Sequence, residues 1–501
     1  MQHMGRSTID IERPASTGSR ARLAGPMAAA RAWVAATSGY QRGLAAITAV
    51  ALASRVVLLG SWPRFWGDEA FTAVQVRKPF FAMLDVVRKD SHPPLIYLLQ
   101  SIIGVFSTSP GALRLVSALA GTAAVPLAAA LGRRVGGDRA GLLAAALLAA
   151  FPGFVLSSRD ARGYSLAMAL VLAGSLALWR AVEKPTRRRL VIYGACVAGA
   201  IYTHYFAIVA VTAQVTVALW VFRPPRAAAV RLLAAFVIGG LTLVPWLLVA
   251  TAQFQHAGAS FWVAPIHFDT LFSDLATRLG KTSGEELTTV TTWVGEAAMI
   301  PLLVVLYRRV DPARRKGVVF LLLCSLAPTA AVLLFSLYKP VYDTRFVLIF
   351  WGPGEAVVGS SLAALRRPLV GPAVCLLLAV ASGVGLLQVQ RPDFEAVVAP
   401  LNGHVQPGDV VALNGPDHYF SIAYAGDAAA QKTLVVVGDN IPWYFGTAGY
   451  PPGTQVHAIP AVAGRVYVVS DQGMGLPPVP GGFQHRSRSC HDGICVDRFS
   501  R

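Results

Sequence analysis

Charge is what this 501-residue sequence has least of: Asp, Glu, Lys and Arg make up 14% of it, against roughly 25% in a soluble domain. With 54% hydrophobic residues and a mean hydropathy of +0.53, the apolar side chains cannot all be hidden in a water-soluble core. An ordinary soluble enzyme is excluded, and lipid is the natural solvent for most of the chain. Cysteine is scarce too. Five residues, of which only Cys490 and Cys495 lie close together, exclude a disulfide scaffold and a cysteine-based zinc cluster. Acidic residues are outnumbered 26 to 44, a formal charge of +18. The excess sits in short bursts between apolar runs, a pattern that fits cytoplasmic loops rather than a nucleic-acid surface.

What is present is a series of apolar runs near the length that a bilayer-spanning helix requires. They fall around 44–62, 111–132, 140–157, 164–180, 190–206, 207–222, 231–250, 291–307, 317–337, 346–365 and 369–387. About 11 transmembrane helices are therefore expected, the division at 190–222 being the least clear. Basic bursts follow alternate runs: Arg133, Arg134 and Arg139; Arg180, Lys184 and Arg187 to Arg189; Arg223, Arg226 and Arg231; Arg308, Arg309 and Arg314 to Lys316; Arg366 and Arg367. The positive-inside rule then puts the N-terminus in the cytoplasm. It puts loops 63–110, 158–163, 251–290 and 338–345, and everything after about 388, outside. Three regions are expected: a disordered cytoplasmic tail over 1–43, a membrane domain over 44–388, and an extracytoplasmic α/β domain over 389–501. The last rests on short β-branched runs at 410–413, 433–437 and 466–469 between turn residues. In an oxidising compartment Cys490 and Cys495 are expected to pair across a Gly-containing turn.

The outer loops collect the residues able to do chemistry. Asp68 and Glu69 stand between Trp62, Phe65, Trp66 and Phe71, where aromatic neighbours would partly desolvate a general base. His92 precedes Pro93-Pro94, which holds it away from helical geometry. Arg162 and Tyr164 lie in the turn after the third run, His204 and Tyr205 at the end of the fifth, and Lys339, Tyr342 and Arg345 before the tenth. Each segment alone is weak. Together they bring carboxylates, histidines, cations and tyrosines to one face, and the cationic and tyrosine donors suit a phosphate at the bilayer surface. A metal is not indicated, because Asp68, Glu69 and His92 are a sparse, hard-ligand set.

These pieces resemble the GT-C glycosyltransferases, in particular the branch of protein O-mannosyltransferases and the lipid A aminoarabinose transferase. The resemblance is carried by Asp68-Glu69, His92-Pro93-Pro94, the Arg162 and Tyr164 turn, and Tyr342 with Arg345-Phe346, across roughly 44–390. It implies a multi-pass enzyme that moves a sugar, mannosyl or arabinosyl, from a polyprenyl-phosphate carrier to a cell-envelope acceptor with inversion. Asp68 would then be the base, with Glu69 positioning the acceptor or substituting for it. His92, Arg162, Tyr164, His204, Tyr205, Lys339, Tyr342 and Arg345 would serve the donor phosphate. The alternatives are a transporter or flippase, which would carry ionisable groups along a mid-membrane path, and a ligase of lipid-linked polymers.

Overall fold

The structure, a computed structural model, describes residues 38–60, 65–259, 263, 265, 303–462 and 464–501. The expected tail over 1–43 and the run at 291–307 lie largely outside these residues, as does most of the 251–290 loop. Residues Gly43–Arg501 form one compact unit.

The chain begins with helix α1 (Gly39–Val56). The first outer segment, expected as a loop, is mostly helical: α2 (Gly67–Val76), α3 (Phe80–Val87) and α4 (Leu95–Gly104) follow one another. Asp68 and Glu69 occupy the first turn of α2, where unpaired backbone N–H groups favour negative charge. Helix α5 (Pro110–Gly136) starts on a proline and stops where Gly137 takes φ +80°, the asymmetry that proline and glycine bring to helix ends. The run at 140–157 divides into α6 (Asp138–Ala150) and α7 (Pro152–Ser157), because Pro152 pushes Phe151 out of helical geometry. Then come α8 (Tyr164–Glu183), α9 (Arg187–Thr203) and α10 (Ala207–Phe222), so the uncertain boundary at 190–222 falls on His204 to Phe206. They are followed by α11 (Arg226–Leu241), α12 (Val244–Val249), α13 (Thr251–Ala259) and α14 (Pro312–Ser336). After α15 (Thr344–Val347) a 3-10 turn leads into α16 (Gly352–Ala363), and α17 (Val370–Gln388) ends the helical region.

Every apolar run except that at 291–307 thus coincides with helix, and the chain is a polytopic helical membrane protein. By length and composition, five helices among the described residues can cross a membrane alone; a sixth span results if the segment Thr344–Ala363, bent by 63° at Trp351, is counted once. Its bend and the short α6–α7 pair explain why runs and long helices do not correspond one to one. The spans differ in environment. Helix α8 is largely buried within the protein, whereas α17 leaves Leu376, Leu377, Val380 and Leu387 exposed, an apolar face suited to lipid. Small residues let α5, α6 and α16 approach closely: a Cβ on Gly132 would lie 2.9 Å from the Ala140 carbonyl oxygen, and one on Gly359 would collide with the Ala144 backbone.

Beyond the helices α18 (Phe394–Val398) leads to a six-stranded sheet. Its strands are β1 (Val410–Leu413), β2 (Leu434–Val437), β3 (Gln455–Val456), β4 (Val466–Asp471), β5 (Gln484–His491) and β6 (Ile494–Ser500), in the order β3-β2-β1-β4-β6-β5. β1 to β4 pair in parallel, while β6 is antiparallel to β4 and β5. Short helices α19 (Tyr419–Ala425) and α20 (Ala428–Lys432) cross from β1 to β2. The β-branched runs read from the sequence are β1, β2 and β4. In the closing hairpin Asp492 and Gly493 both have positive φ, 49° and 79°, as a tight two-residue turn matched to strand twist requires. Cys490 and Cys495 face each other across it and are disulfide-bonded.

The sheet region is fastened to the helical region at α2. Phe71 meets Phe420 of α19 edge-on at 4.9 Å, and Arg77 lies over the Tyr424 ring while donating to its carbonyl at 3.1 Å. Lys78 donates to the Gly449 carbonyl at 3.2 Å. The helix that carries Asp68 and Glu69 is thereby tied to the sheet region along its length and just past its end.

Candidate active site

The two neighbouring carboxylates have opposite surroundings. Glu69 is fully buried. Arg114 of α5 grips it with both arms of its guanidinium, Nε and Nη2 each 2.8 Å from a carboxylate oxygen. The backbone N–H of Ala161 donates to Oε1 at 2.7 Å, and Arg391 donates to Oε2. Arg391 also reaches Asp160 at 2.8 Å, so two cations and two carboxylates alternate in one network. Burial and the adjacent Glu69 push the Asp160 carboxyl up, with Arg391 opposing them. Burial also works against the charge of Arg391, but Asp160 and Glu69 outweigh it and raise its pKa. With its oxygens committed to four donors, Glu69 has the geometry of a clamp rather than of a second base.

Asp68 is the open partner, its side chain 39% exposed. Arg345 approaches it at 3.6 Å. That arginine is oriented by Asp343 at 3.2 Å and lies over the Trp66 ring at 5.5 Å. Asp343 also caps α15 through the Arg345 N–H, which fixes where the arginine leaves the backbone. From the other side Arg162 contacts the Asp68 carbonyl at 3.4 Å, Thr72 at 3.3 Å and the Tyr97 hydroxyl at 3.5 Å.

Arg162 donates to Nε2 of His92 at 2.8 Å. A guanidinium has no acceptor, so Nε2 accepts and the imidazole proton sits on Nδ1, 2.6 Å from the Ser91 hydroxyl. Burial first, and then the charge of Arg162, push the His92 pKa below its usual range, while Asp90 at 3.5 Å pulls the other way. His92 is thus a neutral, oriented ring.

The remaining sequence candidates divide. Tyr164 and His204 are buried beside this cluster, their rings 5.5 Å apart, and the His204 ring lies 6.4 Å from that of His92. Nδ1 of His204 accepts from the Phe206 N–H at 3.3 Å, leaving Nε2 as donor. Tyr205 belongs to a supporting chain instead: it donates to Gln253, receives the Trp246 indole N–H at 2.9 Å, and Gln253 holds the carbonyls of Val87 and His92. Lys339 is half-buried in the turn after α14, and Tyr342 is buried in the apolar core. Among the described residues no three His, Cys, Asp or Glu side chains are grouped to hold a metal ion.

Sequence reasoning missed Arg114, Asp160 and Arg391. A signal existed for Arg114, a lone arginine inside the 111–132 apolar run, since such a group needs a buried partner. For Arg391 no local pattern separates it from a helix-end anchor.

Residues 91–249 match the model of the family described as dolichyl-phosphate-mannose-protein mannosyltransferase. Among solved structures, ArnT from Cupriavidus metallidurans in the apo state superposes with a TM-score of 0.66, covering 94% of this chain and 98% of that one at 15% identity. The same protein bound to undecaprenyl phosphate gives a TM-score of 0.63 with the same coverage and identity. No curated protein sequence matches the chain.

Proposed function

We propose that this chain, whose fold is that of the GT-C glycosyltransferases, transfers a sugar from a polyprenyl-phosphate donor to a hydroxyl acceptor of the cell envelope on the outer face of the membrane. The observation that carries the reading is the asymmetry of Asp68 and Glu69. One carboxylate is saturated and buried, and the other is open beside a cation, at the end of bilayer-length helices. The ligand of the ArnT complex, undecaprenyl phosphate, is of the proposed donor class.

In the proposed reaction the acceptor oxygen attacks the anomeric carbon while Asp68 takes its proton. The bond from that carbon to the phosphate oxygen breaks on the opposite face, giving inversion, and its electron pair leaves with the lipid phosphate. Arg345 meets the charge that develops there; Lys339 of the same connection adds positive charge, and Tyr342, buried in the apolar core, contributes packing and not a contact to the phosphate. Arg162 and neutral His92 shape the floor, and Tyr164 and His204 close it. Glu69 holds the turn in place without entering the chemistry. The sugar proposed is mannosyl or arabinosyl.

This reading also needs the Asp68 loop and residues 389–501, which we regard as a small extracytoplasmic α/β domain, on one side of the membrane. A cysteine at exposed Ala429 labelled by an impermeant reagent in intact cells supports that orientation, and labelling only after lysis refutes it. The chemical test offers purified protein a panel of radiolabelled polyprenyl-phosphate sugars. Label reaching an acceptor, and lost in Asp68→Asn, supports the assignment; a label that crosses the bilayer still attached to its lipid favours a flippase.

A further inference from the structure

A second concentration of charge lies at the other end of the same helices. Helix α5 carries Arg114 near its start and Arg134 near its end, 20 positions apart. At about 1.5 Å per residue this separation is roughly 30 Å, the thickness of a bilayer core. Around Arg134 is a cleft of about 360 Å³ between the ends of α5, α8 and α10 and the start of α14; a neighbouring cleft of about 330 Å³ shares Lys316 with it.

Among the described residues their walls contain five cations, Arg134, Arg223, Arg314, Arg315 and Lys316, and a single carboxylate, Glu183. That carboxylate is already paired with Arg134. The guanidinium nitrogens Nε of Arg134 and Nε of Arg315 are shielded from solvent and have no hydrogen-bond partner among the described residues. A buried unsatisfied donor on a charged group is costly, so these two nitrogens ask for an acceptor that the described residues do not supply.

The rest of the walls is aromatic. Arg134 lies 4.9 Å from the Trp179 ring centre and Arg315 5.0 Å from that of Tyr307, with Phe222 and Trp220 alongside. Trp220 and Tyr307 are largely exposed, as aromatic residues at the boundary between headgroups and hydrocarbon are. Cations at headgroup depth, with apolar helix surface leading away from them, match a molecule having an anionic head and hydrocarbon tails.

We propose that the paired clefts are a binding site for the phosphate headgroup of an anionic glycerophospholipid, in the leaflet opposite to the Asp68 site. The phosphate oxygens accept from Arg134, Arg315 and Lys316, and the acyl chains run along α10 and α14. A free phosphate would satisfy the cations but make no use of the exposed faces of Trp220 and Tyr307.

The test is native mass spectrometry of the full-length protein released from detergent, titrated with dioleoylphosphatidylglycerol or dioleoylphosphatidylcholine. Expected is at least a tenfold preference for phosphatidylglycerol, lost in the Arg315→Gln/Lys316→Gln double variant. If that variant fails to fold, the exposed single changes Arg314→Gln and Lys316→Gln are each expected to weaken the phosphatidylglycerol adduct several-fold and to leave the phosphatidylcholine adduct unchanged. Equal binding of the two lipids, or a preference that survives in the variants, overturns the proposal. So does displacement of phosphatidylglycerol by inorganic phosphate or glycerol 3-phosphate at matched concentration, which would make the clefts a soluble-anion site.

Discussion

The half of the site around Glu69 and the half around Asp68 are built from the same side-chain types to opposite ends. Around Glu69 every carboxylate oxygen is matched by a donor and solvent is excluded. Around Asp68 a carboxylate and a guanidinium stand 3.6 Å apart and part-exposed, too far for a direct hydrogen bond. A closed network has no capacity left for a substrate. The Asp68 side, 39% exposed, stays open to solvent, and it adjoins the closed one through the first turn of α2.

The largest effect that could break this contrast comes from the closed half. Glu69→Ala leaves Arg114 buried without its partner, and loss of one member of such a pair costs about 3–5 kcal/mol. The expected outcome is a steep drop in folded yield and thermal midpoint, read by fluorescence-detected size exclusion. Because Arg114 is the group left stranded, Glu69→Ala/Arg114→Ala should cost less than the sum of the single changes. A Glu69→Ala protein of normal stability and no turnover would return Glu69 to the chemistry.

The open half should respond in the reverse sense. Asp68→Asn keeps size and removes the proposed base, so turnover should fall by about 100-fold or more with the thermal midpoint unmoved. Arg345→Ala removes the charge-assisted contact proposed for the leaving group and is expected to raise the barrier by about 2–4 kcal/mol. Arg345→Lys, which keeps charge but loses the planar fork, should fall between that variant and the parent. Unchanged donor titrations in both variants would make Arg345 a helix-end anchor only.

The smallest effect sharpens the contrast from outside it. Reducing the Cys490–Cys495 bridge opens a very short loop, for which chain entropy gives about 2 kcal/mol. Hydrogen exchange should rise in β5 and β6 alone, with turnover retained. Loss of turnover on reduction would tie the hairpin to the site.

Much of this was legible in the sequence and some was not, for reasons that differ by residue. The apolar runs read as helices because lipid-facing and buried faces are both apolar, so composition alone reveals them. β1, β2 and β4 read as strands because they are β-branched and buried, whereas β5 is polar and exposed throughout and gives no such pattern. Helices α2 to α4 hid in a loop because each is at most 10 residues long. The sequence favours Asp68 as the base but leaves Glu69 able to substitute for it, since what separates their surroundings lies 45 and 322 positions from Glu69, at Arg114 and Arg391. Tyr205 read as a ligand residue because a tyrosine beside a histidine does not reveal that its hydroxyl is already engaged by Trp246 and Gln253.

Arg391 stands three residues past the end of α17 and ahead of everything in the sheet region, yet it supplies half of the positive charge that neutralises Glu69 and Asp160. A chain cut before it would leave two carboxylates sharing one guanidinium in a dry pocket. The sheet region is therefore not a detachable appendage: its root is wired into the turn that carries Asp68, and a pull on it arrives, through Arg391 as well as through the contacts of Phe71, Arg77 and Lys78, at the neighbour of that carboxylate.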